Sequence, residues 1–180
     1  MRNFFTIIFY LSIGFSNPKV KINEATIHFT GSHPFHDWTG ISTQLDLEMN
    51  CSKMDEICDF IFTIPWTSFN SGNDNRDNNM LYYISAFDYP KIEMEFTDVK
   101  MNELTKTKNV IIGNLSMAGE KQNIAISLDF KQNDNQIILN SEFNISLTNY
   151  NIERPTLLMI PIKDIVNIHV NIVGDITQIP

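Results

Sequence analysis

The sequence predicts an all-β domain of about eight strands, antiparallel to one another and wrapped around a single apolar interior. Three observations carry this expectation. Isoleucine outnumbers alanine by 26 to 4, and Ile favours strands whereas Ala is the best helix former. Apolar and polar residues alternate with a period of two along most of the chain, which gives each segment one dry and one wet face. The breaks between segments are short and rich in Gly, Asn, Asp and Lys, and short connections favour antiparallel neighbours. With 180 residues, 43% of them hydrophobic and 19% charged, the chain suits one packed domain and is too short for two comfortable ones.

Residues 1–16 read as a secretory signal peptide. Arg2 supplies the positive end, Phe4 to Ile13 the apolar run, and Gly14 and Ser16 the small-x-small pattern before a cut after Ser16. The run is too short for a membrane-spanning helix, which needs about 20 residues. A buried first strand is the alternative use of the same segment. Residues 17–180 then form one domain outside the cytoplasm, periplasmic or secreted.

The strands follow in order. One is expected near 20–30. In the next run Ile41, Thr43, Leu45, Leu47 and Met49 share a face. Cys51 and Cys58 then flank a polar stretch. If the runs on either side form a hairpin, the cysteines sit at its mouth and a disulfide can staple it, as an oxidising compartment allows. The pair offers too few ligands for zinc. Phe60, Phe62 and Ile64 resume the alternation. Residues 66–90 break it. After an Asn-, Asp-, Ser- and Gly-rich loop, Met80, Tyr83, Ile84 and Phe87 recur at helical spacing. This predicts a short helix over about 76–86, capped by Asp74 or Asn75 and stopped before Pro90. It either closes the mouth of a barrel or lies on the surface of a sandwich. The remaining runs are Ile92, Met94 and Phe96; residues 109–117; Ile124, Ile126, Leu128 and Phe130; Ile137, Leu139, Phe143, Ile145 and Leu147; and Val166, Ile168, Val170 and Ile172. A two-sheet sandwich and a closed barrel both give these strands one shared interior, and closure has the advantage of removing exposed edges.

Lys and Arg number 13 against 21 Asp and Glu, a net charge of -8. That lacks the basic footprint of a nucleic-acid binder and gives no attraction to anionic head groups. Transient membrane contact and a homodimer are left open. There is no nucleophile elbow, phosphate loop or dinucleotide fingerprint. His28, His33, His36 and Asp37 have the right chemistry for a metal or for acid–base work. On a strand and its loop they need not converge, so the expectation is structural histidines and no enzyme, metal or cofactor. A metal-assisted hydrolase using His33, His36 and Asp37 is the competing reading. Arg76-Asp77 reads as an ion pair or a helix-start device. Phe60, Phe62, Met94, Phe96, Phe130 and Phe143 fall on the inner faces. Eight strands enclose room either for packed side chains or for one small ligand.

Several segments, in order over residues 22–174, carry a family resemblance. Ile27-His28-Phe29-Thr30-Gly31-Ser32 leads to His36-Asp37-Trp38-Thr39-Gly40. Ser68-Phe69-Asn70-Ser71-Gly72 precedes Arg76-Asp77 and Met80. Tyr89-Pro90-Lys91-Ile92, Gly113 to Gly119 and Asn149 to Pro155 follow. Together they resemble the YceI-like family of exported bacterial proteins. Met94 stands where that family usually has Phe, and Asn149 and Asn151 where it has Asp and Gly. The resemblance implies an eight-stranded antiparallel lipocalin-like barrel with one short helix near a mouth. It also implies an elongated cavity for a long isoprenoid, such as a polyprenyl lipid or a quinone tail, as hydrophobic ligand. The polar head would sit by His36, Trp38 or Arg76. A barrel with a filled interior that works through its acidic surface is the alternative.

Overall fold

The computed structural model describes residues 18–52, 57–104 and 109–178. The signal peptide expected at 1–16 lies outside them, as does the tip of the loop between the cysteines. In chain order the elements are β1 (Pro18–His33), β2 (His36–Ser42), β3 (Asp46–Cys51), β4 (Ile57–Pro65), α1 (Asp74–Tyr83), β5 (Lys91–Lys100), α2 (Met101–Leu104), β6 (Asn109–Met117), β7 (Glu120–Asn133), β8 (Gln136–Ser146), β9 (Thr156–Leu157), β10 (Ile160–Pro161) and β11 (Ile165–Gln178). Nine strands form one sheet in the order β2-β1-β11-β8-β7-β6-β5-β4-β3, and neighbours run antiparallel throughout. The β9–β10 hairpin stands apart from it.

The all-β, lipocalin-like character holds, but the closed eight-stranded barrel does not form. The sheet is a curled half-barrel with β2 and β3 as its two edges. The expected single run over Ile41–Met49 divides. Its first part pairs with β1 and its second with β4. At the break the Ser42 hydroxyl accepts a hydrogen bond from the Gln44 N–H (3.1 Å) and meets the Ser68 hydroxyl at 2.6 Å. Such side-chain bonds compete with the ladder and take the backbone out of it. The inward face also changes parity here. Gly40 and Ser42 are buried, whereas Ile41 and Thr43 are exposed, and Leu45, Leu47 and Met49 are half-buried. Ile41 and Thr43 therefore do not share the inner face with Leu45, Leu47 and Met49. The Ile41 backbone pairs instead with Asn70.

Two bulges repeat this device. The β1–β11 register slips between Ile22 and Glu24, so Val20 and Ile22 face inward before it and Ile27 and Phe29 after it. In β5, Asp98 adopts a positive φ of 56°, and its N–H donates to Asp59 Oδ1 at 2.9 Å. Phe96 and Val99, three apart, both point inward as a result.

The opening motif has a steric origin. Gly31 pairs with Trp38, and Gly40 with Phe29, across the β1–β2 ladder. A Cβ on Gly31 would lie 2.5 Å from the Trp38 ring, and one on Gly40 2.2 Å from the Phe29 ring. Each aromatic ring lies over the hydrogen of a glycine, a pairing that only a missing side chain permits.

Helix α1 begins two residues before the expected start. Its cap is Asn73, not Asp74 or Asn75. The Asn73 backbone is extended, and its side chain accepts from the Arg76 N–H at 3.0 Å. Asp74 and Asp77 then occupy the first turn, where they complement the helix dipole. Ser85, at φ 53°, turns the chain away just after the helix.

Candidate functional site: an apolar cavity inside the curled sheet

The concave face of the sheet encloses a cavity of about 1140 Å³. Its wall includes Ile27 and Phe29 from β1, Leu47 and Met49 from β3, Phe60 and Phe62 from β4, and Met94 and Phe96 from β5. Leu115, Phe130, Leu139, Phe143 and Val170 complete it from β6, β7, β8 and β11. The lining extends to both ends of the strands. Met80, Tyr83 and the polar side chains of Asn73, Asn75, Arg76 and Asn79 lie at the α1 end. Cys51, Met101 and Gln132 lie at the other. Two packed clusters bound the space. One is built on Ile27, Trp66, Phe69 and Tyr150, the other on Leu104, Leu128 and Ile137.

Each of the residues singled out from sequence for ligand contact stands in this wall: Phe60, Phe62, Met94, Phe96, Phe130, Phe143, Trp38, His36 and Arg76. Phe96 and Phe130 are buried. Phe60, Phe62, Met94 and Phe143 are only half-buried, and each borders the open space of the cavity. Phe62 stacks on Phe60 at 6.3 Å between ring centres and meets Phe96 edge-on at 6.1 Å. His36 and Trp38 lie 5.9 Å apart at the α1 end. Cys51 and Cys58 are directly paired across β3 and β4 and form a disulfide.

Sequence reasoning did not assign Ile27, Phe29, Leu115, Met80 or Tyr83 to the site. Ile27 and Phe29 were legible as an alternation around His28. Met80 and Tyr83 were legible as a helical stripe, but nothing local says which surface that stripe meets. Ser141 is a polar residue on the inner face. It is 5% exposed, and its hydroxyl donates to the Ser127 carbonyl at 3.0 Å, which satisfies it next to an apolar space.

Arg76 and Asp77 form a helix-start device and not an ion pair with each other. The Asp77 carboxylate accepts from the Ser71 N–H at 3.1 Å and from the Ser71 hydroxyl. Arg76 Nε donates to Ser71 Oγ at 2.8 Å, and Nη2 to the Ser71 carbonyl at 2.7 Å. The clip fixes the loop entering α1 and holds the helix at the mouth. Much of the Arg76 guanidinium is thereby already engaged.

The histidines do not assemble a reactive site. His33 is buried, with Nδ1 accepting from the Phe35 N–H (3.3 Å) and Nε2 facing the Ile160 carbonyl (3.2 Å). Both ring nitrogens thus have backbone partners. His36 lines the cavity while its neighbour Asp37 is exposed on the other face. Among the described residues no group of three His, Cys, Asp or Glu side chains converges on a point where a metal could bind.

The domain model of the YceI-like family matches residues 19–174. The chain belongs to the YceI-like family. A YceI-like domain is a non-catalytic binding module. Solved structures share its fold. BcnA of Burkholderia cenocepacia is 14% identical, with a TM-score of 0.70 over 83% of this chain and 95% of that one. A polyisoprenoid binding domain from Saccharophagus degradans is 13% identical, with a TM-score of 0.69 over 88% and 98%. The YCEI protein of Campylobacter jejuni is 15% identical, with a TM-score of 0.59 over 99% and 100%. No curated protein matches the chain in sequence.

The late YceI-like segment works here despite its substitutions. Asn151 takes the left-handed conformation, φ 53° and ψ 23°, which Asn tolerates better than most residues. Its amide donates to Glu120 Oε1 at 2.7 Å. The neighbouring Tyr150 is 2% exposed, and burial pushes its hydroxyl up to about 12. Asp164 anchors the same end. Desolvation raises its pKa, but bonds from Ser146 Oγ (2.5 Å) and the Thr148 N–H (3.0 Å), with the field of Arg154, outweigh this and hold it below the usual carboxylate value.

Proposed function

We propose that the protein binds a long-chain isoprenoid or a similar amphiphilic lipid in this cavity, without chemistry on it, and sequesters or carries it outside the cytoplasm. The observation that carries the reading is the cavity itself: about 1140 Å³, walled by apolar side chains from most strands of the sheet. That exceeds the usual size of a small-molecule pocket, about 300–1,000 Å³. A polyprenyl chain is poorly soluble, and each CH₂ taken from water contributes about 0.8 kcal/mol before ordering costs. Aromatic and Met side chains adapt to a kinked chain. His36, Trp38 and Arg76 offer polar contacts for a head group at the α1 end. Family membership and the fold shared with a polyisoprenoid binding domain support the same reading. The signal-like segment at 1–16 supports a place in the periplasm or secretion. Native mass spectrometry of the exported protein, purified without detergent, tests the proposal. One isoprenoid-mass adduct per chain is expected. A bare mass that stays bare after incubation with polyprenyl lipids and quinones would refute it.

A further inference from the structure

The β9–β10 hairpin projects at the same end of the sheet as α1. Its base is tied down. The Lys163 N–H donates to the Ser32 carbonyl at 2.8 Å and the Ile162 N–H to the Pro155 carbonyl at 2.9 Å. His33 holds the Ile160 carbonyl from below, and Arg154 Nη1 donates to the Ile162 carbonyl at 3.3 Å. Residues 155–162 carry no charge in a chain of net charge -8. Pro155, Thr156, Leu157 and Ile162 line the cavity, while the two tip residues point away from it into solvent. Leu158 is 74% exposed and Met159 94%. Phe35, 61% exposed, stands beside the base with its ring 5.1 Å from that of His33.

The tip is an unusual place for these side chains. Leu158 and Met159 have φ values of 52° and 66°, and they form the two-residue loop between the paired Leu157 and Ile160. A loop with both residues at positive φ is best filled by Asn-Gly or Asp-Gly. Two large apolar residues are unfavourable there in backbone terms and, in water, unfavourable in surface terms as well. A lipid surface removes the second penalty.

We propose that this tip is a wedge that enters the acyl boundary of a bilayer and sets the cavity mouth against the lipid. The inference rests on the reading of the cavity as a lipid site, since it supplies that site's route of loading. A bilayer fits better than a second copy of the chain. A stable dimer buries about 800 Å² of complementary surface per partner, which a convex two-residue tip cannot offer, whereas acyl chains need no complementary shape. The negative net charge makes the contact apolar and not electrostatic, so a zwitterionic membrane suffices.

The test is flotation of the protein, as recovered from cells, with phosphatidylcholine vesicles at low and high salt. Leu158→Glu/Met159→Glu is expected to lower vesicle partition more than about tenfold, the loss of two inserted apolar side chains. Salt should leave the wild-type value unchanged. In Leu158→Trp, the added indole emission should shift to the blue on vesicle addition and be quenched by brominated lipid. An unchanged urea midpoint shows that both variants fold. Equal flotation of wild type and double variant, or an unshifted indole, overturns the proposal. So does a double substitution that halves the sedimenting mass without touching flotation, which would make the tip a self-association contact. Native mass spectrometry separates this from the reading it rests on. Protein that carries isoprenoid but does not float sinks the wedge alone. Protein that floats by its tip but carries no isoprenoid sinks the cavity reading alone.

Discussion

Truncating two phenylalanines of the same wall distinguishes an open interior from a packed one. Full burial of a Phe side chain contributes about 1.5–3 kcal/mol. Phe62 is half-buried, so Phe62→Ala forfeits about half of that, near 1 kcal/mol. Losing its ring contacts with Phe60 and Phe96 adds about 0.5–1 kcal/mol. The expected total is about 2 kcal/mol, because the ring already borders open space and its removal enlarges a cavity without creating one. Phe96 borders the same cavity but is 4% exposed and packed tightly over Gly113, so Phe96→Ala forfeits nearly full burial and should cost about 3–5 kcal/mol. Urea denaturation of ligand-free protein, with the Cys51–Cys58 disulfide intact, reads both losses. Equal losses of the larger size would show that the interior around Phe62 is solid, and the cavity reading would fail. Added isoprenoid supplies a second measure. It should raise the wild-type midpoint by mass action and raise that of Phe62→Ala less.

Three further outcomes are expected. Gly40→Ala drives a methyl into the Phe29 ring, 2.2 Å from its nearest atom, and should destabilise by about 1–3 kcal/mol, a drop that thermal denaturation will show. Asp77→Ala releases the Ser71 clip and should cost about 1–2 kcal/mol; faster amide exchange across Asp74–Tyr83 with the sheet still protected is the signature, and unchanged exchange would mean that α1 is held by packing alone. Tyr150 gives a pH dependence. Its folded pKa, about 12, lies above the ordinary value near 10, so the folded state holds its proton longer. Stability is therefore complete below pH 10 and falls between about 10 and 12, by up to about 2 kcal/mol. Tyr150→Phe should flatten that alkaline slope in urea titrations, and an unchanged slope would place its cause elsewhere.

The amino-acid sequence by itself determined the strand character and the family, and the inward positions of most strands but not of the run at Ile41 and Thr43. Period-two alternation is a local property. The inward positions of Phe60, Phe62, Met94, Phe96, Phe130 and Phe143 can be read from their immediate neighbours wherever a strand keeps one parity. The glycines opposite Trp38 and Phe29 were visible as motif letters before their steric reason was known. What only the tertiary structure decided lies where parity breaks or a partner must be chosen. Ser42 ends one ladder because Ser68, 26 residues on, meets it. That contact divides the expected strand, turns Ile41 outward and leaves the sheet open along β2 and β3. Asn73, not Asp74 or Asn75, caps α1, since several adjacent Asn and Asp residues are chemically able to and the loop geometry set by Ser71 chooses among them. Arg76-Asp77 reads in sequence as an ion pair or a helix-start device, and only the fold selects the second by bringing both side chains onto Ser71. The placement of α1 and of the Leu158–Met159 tip at the end of the cavity depends on which ends of distant strands come together. A side chain's own neighbours specify its face. Its partners are specified only when the chain brings separate segments together, from 26 residues apart at Ser42 and Ser68 to 127 at His33 and Ile160, and no local periodicity carries that information.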